Sequence, residues 1–106
     1  MTDFSKKLLK INVRARSMES AKAIFCDLLG GELVHDRGSD TIGDFNGAMV
    51  RVGDVTIDLL VPNDPNGRLA GVIDKHGEGL DSICFGVDSM EETQKALLER
   101  GVQELS

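Results

Sequence analysis

A chain of 106 residues, 41 % of them apolar, has the material for one domain with a single small core. Its only aromatics are Phe4, Phe25, Phe45 and Phe85, so burial rests on Leu, Ile, Val and Met, and a core of that kind gains from a partner subunit. A formal net charge of −6 argues against a general nucleic-acid binder, which needs a basic face to neutralise phosphates; small anionic ligands stay open, because a local group outweighs the global sum.

Basic residues gather near the amino end, at Lys6, Lys7, Lys10, Arg14 and Arg16, and read as a solvated strand edge. Cys26 and Cys84 stand among apolar neighbours, which fits buried, reduced thiols better than a disulfide framework. No apolar run reaches the roughly 20 residues of a membrane helix, and no charged-then-apolar leader precedes the fold. The expectation is a cytoplasmic protein without membrane or nucleic-acid partners.

Leu8 to Ala15 alternates, with Leu9, Ile11, Val13 and Ala15 on one side and Lys10, Asn12 and Arg14 on the other: a half-buried strand. Ser17 caps a helix whose apolar positions are Met18, Ala21, Ile24, Phe25, Leu28 and Leu29, and Gly30-Gly31 ends it. Glu32 to Asp36 is a second strand, followed by a polar loop through Asn46. Gly47 to Val52 and Val55 to Val61 are two more, joined by Gly53-Asp54 in a tight hairpin. Pro62 to Gly67 breaks the chain, and Leu69 to Lys75 is a short helical connector.

The pattern then restarts. Ser82 to Val87 is a strand, and Ser89 to Arg100 a helix with a Ser89/Glu92 capping box, ended by Gly101. Shifting the chain by roughly 72 positions lays Ser17-Met18-Glu19 on Ser89-Met90-Glu91, Ile11 on Ile83 and Glu32-Leu33 on Glu104-Leu105, the ordered matches of an internal repeat. Module one covers about 8–62, the connector about 63–80 and a partial module two about 81–106. The second copy stops as its second strand begins, so the expectation is a homodimer, a partner chain that completes the module, or a longer natural protein.

Three stretches, SMESAKAIFCDLLGGEL at 17–33, VGDVTIDLLVP at 52–62 and LAGVIDKHGEGLDSICFGVD at 69–88, resemble the vicinal oxygen chelate superfamily of glyoxalases, bleomycin-resistance proteins and dioxygenases. The resemblance is greatest to its methylmalonyl-CoA epimerase and glyoxalase I branch. It implies an α+β fold of paired βαβββ modules, the second incomplete here, with a divalent metal in a cupped sheet. Carried over by position, the first metal-ligand place, usually His, holds Lys10. The second, usually Glu or Gln, holds Asp58, and the third, usually His, holds Ser82; the fourth falls past Ser106. The repeat itself also sets Lys10 opposite Ser82.

An ammonium repels a divalent cation and a serine hydroxyl is a poor neutral ligand, so the expectation is a site without metal or other cofactor. His35 and His76 read as solvated surface histidines. Strand alternation puts Lys10, Asn12 and Arg14 on one face of the first strand, Asp58 on a face of the fourth and Ser82 on a face of the fifth. In the implied architecture these line one concavity as ligand-binding residues, with Lys10, paired with Asp58, standing in for the metal's charge and the two as catalytic candidates. The expected function is binding of a small organic ligand in a degenerate, metal-free site. Its rivals are a lyase or isomerase of the glyoxalase/epimerase type acting on a small carbonyl or acyl-thioester substrate, and an accessory domain completed by a partner.

Overall fold

Alternation in the first strand is carried through in the computed structural model, which describes residues 7–36 and 43–102. β1 (Lys7–Arg14) turns Val13 toward an apolar core and Lys10, Asn12 and Arg14 to the other face. Helix α1 (Met18–Lys22) starts where Ser17 Oγ accepts the amide of Ser20 at 3.2 Å. It does not continue as the regular α-helix that the spacing predicts. From Ala23 to Leu28 the backbone widens into a π-helical segment, with the amide of Leu29 reaching back five residues to the Ile24 carbonyl at 3.0 Å.

The wider turn changes which residues face the sheet. Ala21 is buried and Phe25 and Cys26 pack on the core, while Leu28 and Leu29, core residues by α-helical spacing, swing outward and are exposed. Gly31 follows at close quarters: a Cβ there would lie 2.4 Å from the Phe25 carbonyl oxygen and 2.7 Å from Val50 Cγ1. Glycine is required there by space alone.

β2 (Glu32–Asp36), β3 (Phe45–Val52) and β4 (Val55–Pro62) complete the first module. β3 and β4 form the expected hairpin, pairing Val52 with Val55 around Gly53 at φ 60°, the left-handed conformation that a II′ turn asks of its first central residue. β4 then pairs in parallel with β1, in the register Ile11–Ile57, Asn12–Asp58 and Val13–Leu59. With β5 (Gly79–Gly86) the strand order is β2-β3-β4-β1-β5. β1 is therefore an interior strand, which corrects its reading as a solvated edge; the edges are β2 and β5. β5 also begins earlier than its apolar run predicts, at Gly79.

Ala48 and Val50 of β3 and Ile57, Leu59 and Val61 of β4 form the core with Ala15 and Ala21, under the α1 segment. Helix α2 (Arg68–His76) buries Leu69, Ala70 and Ile73. Its N-cap, Gly67, has no side chain to offer, and Asp44 serves instead: its Oδ2 accepts the Leu69 amide at 2.9 Å. Cys26 and Cys84 are free thiols, each partly buried. Among the described residues no helix is long and apolar enough to cross a membrane.

The chain divides into two compact units, one from Leu9 to Cys84 and one that includes the described residues 85–102. In the latter, α3 (Met90–Glu99) is capped as the sequence predicts, with Ser89 Oγ accepting the Glu92 amide at 3.2 Å. Glu104-Leu105, the predicted start of the next strand, and the loop from Arg37 to 42 lie outside the described residues.

Candidate functional site

Opposite the helix-covered core, β1, β4 and the start of β5 present a polar face. It is built by alternation: the carboxylate of Asp58 points away from its buried neighbours Ile57 and Leu59, and Lys10, Asn12 and Arg14 away from Val13. Lys10 Nζ donates to Asp58 Oδ2 at 2.7 Å. The pair is lopsided, with the lysine side chain 34 % exposed and the aspartate 2 %. Asp58 is the single buried charged residue among those described.

Asn12 does not join that pair. Its Nδ2 donates to Ser82 Oγ at 2.9 Å, and Ser82 Oγ lies 3.3 Å from Asp81 Oδ2 as donor. Asp81 Oδ1 in turn lies 3.4 Å from Arg14 Nη1. The same guanidinium donates through Nε to the Gly77 carbonyl at 2.8 Å and through Nη1 to the Leu80 carbonyl at 2.9 Å. The face thus holds two clusters, an ion pair at Lys10–Asp58 and a chain running Asn12–Ser82–Asp81–Arg14.

All five candidates from the sequence meet on this face, but in different states. Lys10 is partly exposed and holds Asp58; Asn12 and Ser82 hold each other; Arg14 is largely occupied by backbone carbonyls. Arg16, next on the same side of the chain, donates its amide to Glu78 Oε1 at 2.7 Å and pairs with Asp74 at 3.0 Å. Lys10, Arg14 and Arg16 are thus each paired with an acidic partner distant in sequence. Asp81, Glu78, Asp74 and Asp44 are structural participants that the sequence reading did not single out. The only signal for Asp81 was its place beside Ser82.

His35 in β2 and His76 at the end of α2 are both exposed. Among the described residues no three His, Cys, Asp or Glu side chains converge as a metal ligand set. A divalent cation at Asp58 would have to displace the Lys10 ammonium from the carboxylate it already neutralises, with Ser82 as the other family-position donor among the described residues. Lys10, Asp58 and Ser82 by themselves do not fit such an ion.

A family model for the glyoxalase/bleomycin resistance protein/dioxygenase superfamily matches residues 10–106. The chain belongs to this superfamily. Its fold is glyoxalase-like, with methylmalonyl-CoA epimerases among its structural neighbours. A hypothetical protein from Bacillus halodurans C-125 superposes with a TM-score of 0.85 at 27 % identity, over 94 % of this chain and 72 % of that one. Methylmalonyl-CoA epimerase from Mycobacterium tuberculosis gives 0.79 at 23 % identity, over 95 % and 68 %. A Streptomyces coelicolor methylmalonyl-CoA epimerase variant in complex with 2-nitronate-propionyl-CoA gives 0.81 at 18 % identity, over 96 % and 74 %. No curated protein matches the chain in sequence.

Proposed function

We propose that this superfamily member binds a small organic ligand bearing a carbonyl or carboxylate on its polar sheet face, without a resident metal or other cofactor. The observation that carries the reading is the Lys10–Asp58 pair. A buried carboxylate fixes the ammonium from below, and the ammonium's remaining donors are left for an oxygen of the ligand. A charge-assisted hydrogen bond of this type contributes about 1.5–3 kcal/mol. Asn12 and Ser82 stand on the same face as further polar contacts. Asp58 acts by holding Lys10 rather than by touching ligand.

Calorimetric titration with methylmalonyl-CoA and with methylmalonate tests this, on the wild type and on Lys10→Gln, each with and without EDTA. Binding that survives chelation and weakens roughly 10- to 100-fold in a folded Lys10→Gln protein is the expected result. Equal affinity in the two proteins, or loss on chelation, overturns it.

A second reading, a lyase or isomerase of the glyoxalase/epimerase type, is favoured by the epimerases among the structural neighbours. Deuterium uptake from D2O at the acidic carbon of methylmalonyl-CoA separates turnover from binding alone. We further propose a cytoplasmic homodimer, or a module completed by a partner chain; sedimentation across a concentration series distinguishes either from a monomer.

A further inference from the structure

Arg14 donates more hydrogen bonds than any other residue on this face, and all of them go to the connection that leads into β5. Its guanidinium reaches the Gly77 carbonyl, the Leu80 carbonyl and the Asp81 carboxylate. That stretch holds two glycines with left-handed φ, Gly77 at 85° and Gly79 at 134°. Such residues give the segment little stiffness of its own. Glu78 between them is held by the Arg16 amide. The order of this stretch is therefore supplied from β1, 63 positions earlier at the Arg14–Gly77 contact.

The geometry points to Arg14 as a positioning residue: it clasps 77–81 and, through Asp81, sets the Ser82 hydroxyl against Asn12 beside Lys10. It acts on the proposed ligand site without touching the ligand, so this inference rests on that reading only for its binding consequence. The chemistry calls for arginine specifically. A planar guanidinium presents Nε and Nη1 at a fixed spacing that two carbonyls match, whereas a lysine ammonium is a single point on a flexible stem. Charge at this place is not enough.

The test compares wild type with Arg14→Lys, Arg14→Ala and Asp81→Asn by amide hydrogen exchange and by the NMR signal of the Asn12 side-chain amide. In Arg14→Lys the amides of 77–82 should exchange roughly tenfold faster or more, as expected for loss of local protection. Those of Ala48 and Leu59 should keep their rates. The Asn12 Nδ2 signal should shift in Arg14→Lys and in Asp81→Asn, and methylguanidinium added to Arg14→Ala should restore both readouts. Wild-type behaviour of Arg14→Lys, or a uniform rise in exchange across the sheet, overturns the clasp. Titration with methylmalonyl-CoA is the separate arm. If the wild type binds and Arg14→Lys binds at least several-fold more weakly, Arg14 acts on the site; equal affinity overturns that role. If the wild type does not bind, the ligand reading fails while exchange still decides the clasp.

Discussion

Lys10 and Asp58 divide their ion pair unequally, the carboxylate sealed in the sheet and the ammonium reaching toward solvent. Removing one partner therefore differs from removing the other. Lys10→Met strips a charged neighbour from a buried anion and should destabilise by about 1–3 kcal/mol. Asp58→Asn leaves an ammonium that can turn to water and should cost less. The double variant should be less destabilised than the sum, because each change relieves the other. Urea unfolding of the four proteins measures this, and strict additivity would show that the contact contributes nothing.

Gly31 and Gly30 carry glycine for different reasons, and alanine separates them. Gly31→Ala drives a methyl into the Phe25 carbonyl and Val50, an overpacking that should cost about 1–3 kcal/mol. Gly30, at φ 72°, has nothing within 4 Å, so Gly30→Ala carries only the left-handed backbone cost of roughly 1–2 kcal/mol. Asparagine, which tolerates that conformation, should recover part of the loss at Gly30 and none at Gly31. Thermal unfolding of the set decides it.

The π-helical turn makes a prediction that an α-helical reading reverses. Leu28 falls on the apolar stripe of a regular helix, yet here it is 77 % exposed, whereas Leu59 is fully buried. Leu28→Ala should stay within about 0.5 kcal/mol of wild type, and Leu59→Ala should lose about 2–5 kcal/mol. Chemical denaturation of both would expose a regular helix if Leu28→Ala proved the costlier.

Asp44 caps a helix it does not belong to. Asp44→Ala leaves the Leu69 amide at the start of α2 without its acceptor and should cost about 0.5–2 kcal/mol. Faster hydrogen exchange at the first turn of α2 should accompany it. Asp44→Asn, which keeps an acceptor oxygen, should lose less; equal loss from both would make the charge, not the hydrogen bond, responsible.

The elements were legible in the sequence because their signals are local. Alternation marked β1, Gly53-Asp54 marked the hairpin, and Ser17 and Ser89 marked the two caps. What was not legible depends on backbone geometry or on distant partners. The π-helical turn moves Leu28 and Leu29 outward without any change in apolar spacing that sequence reading detects. The neutralisation of Arg14 and Arg16 by Asp81 and Asp74 requires α2 and the start of β5 to return beside β1, which no residue near the amino end announces. The five candidate residues do share a face, as strand parity and the implied family architecture together anticipate, but which of them keep open donors is a matter of contacts.

The parallel pairing of β1 with β4 also has an entropic side. β3 and β4 can zip as neighbours across a two-residue turn, but Lys10 waits for a partner 48 positions further on. β1 is made before β4, so docking the two closes a longer loop than the β3–β4 hairpin does and costs more chain entropy. The ion pair that we assign to ligand binding forms only with that closure.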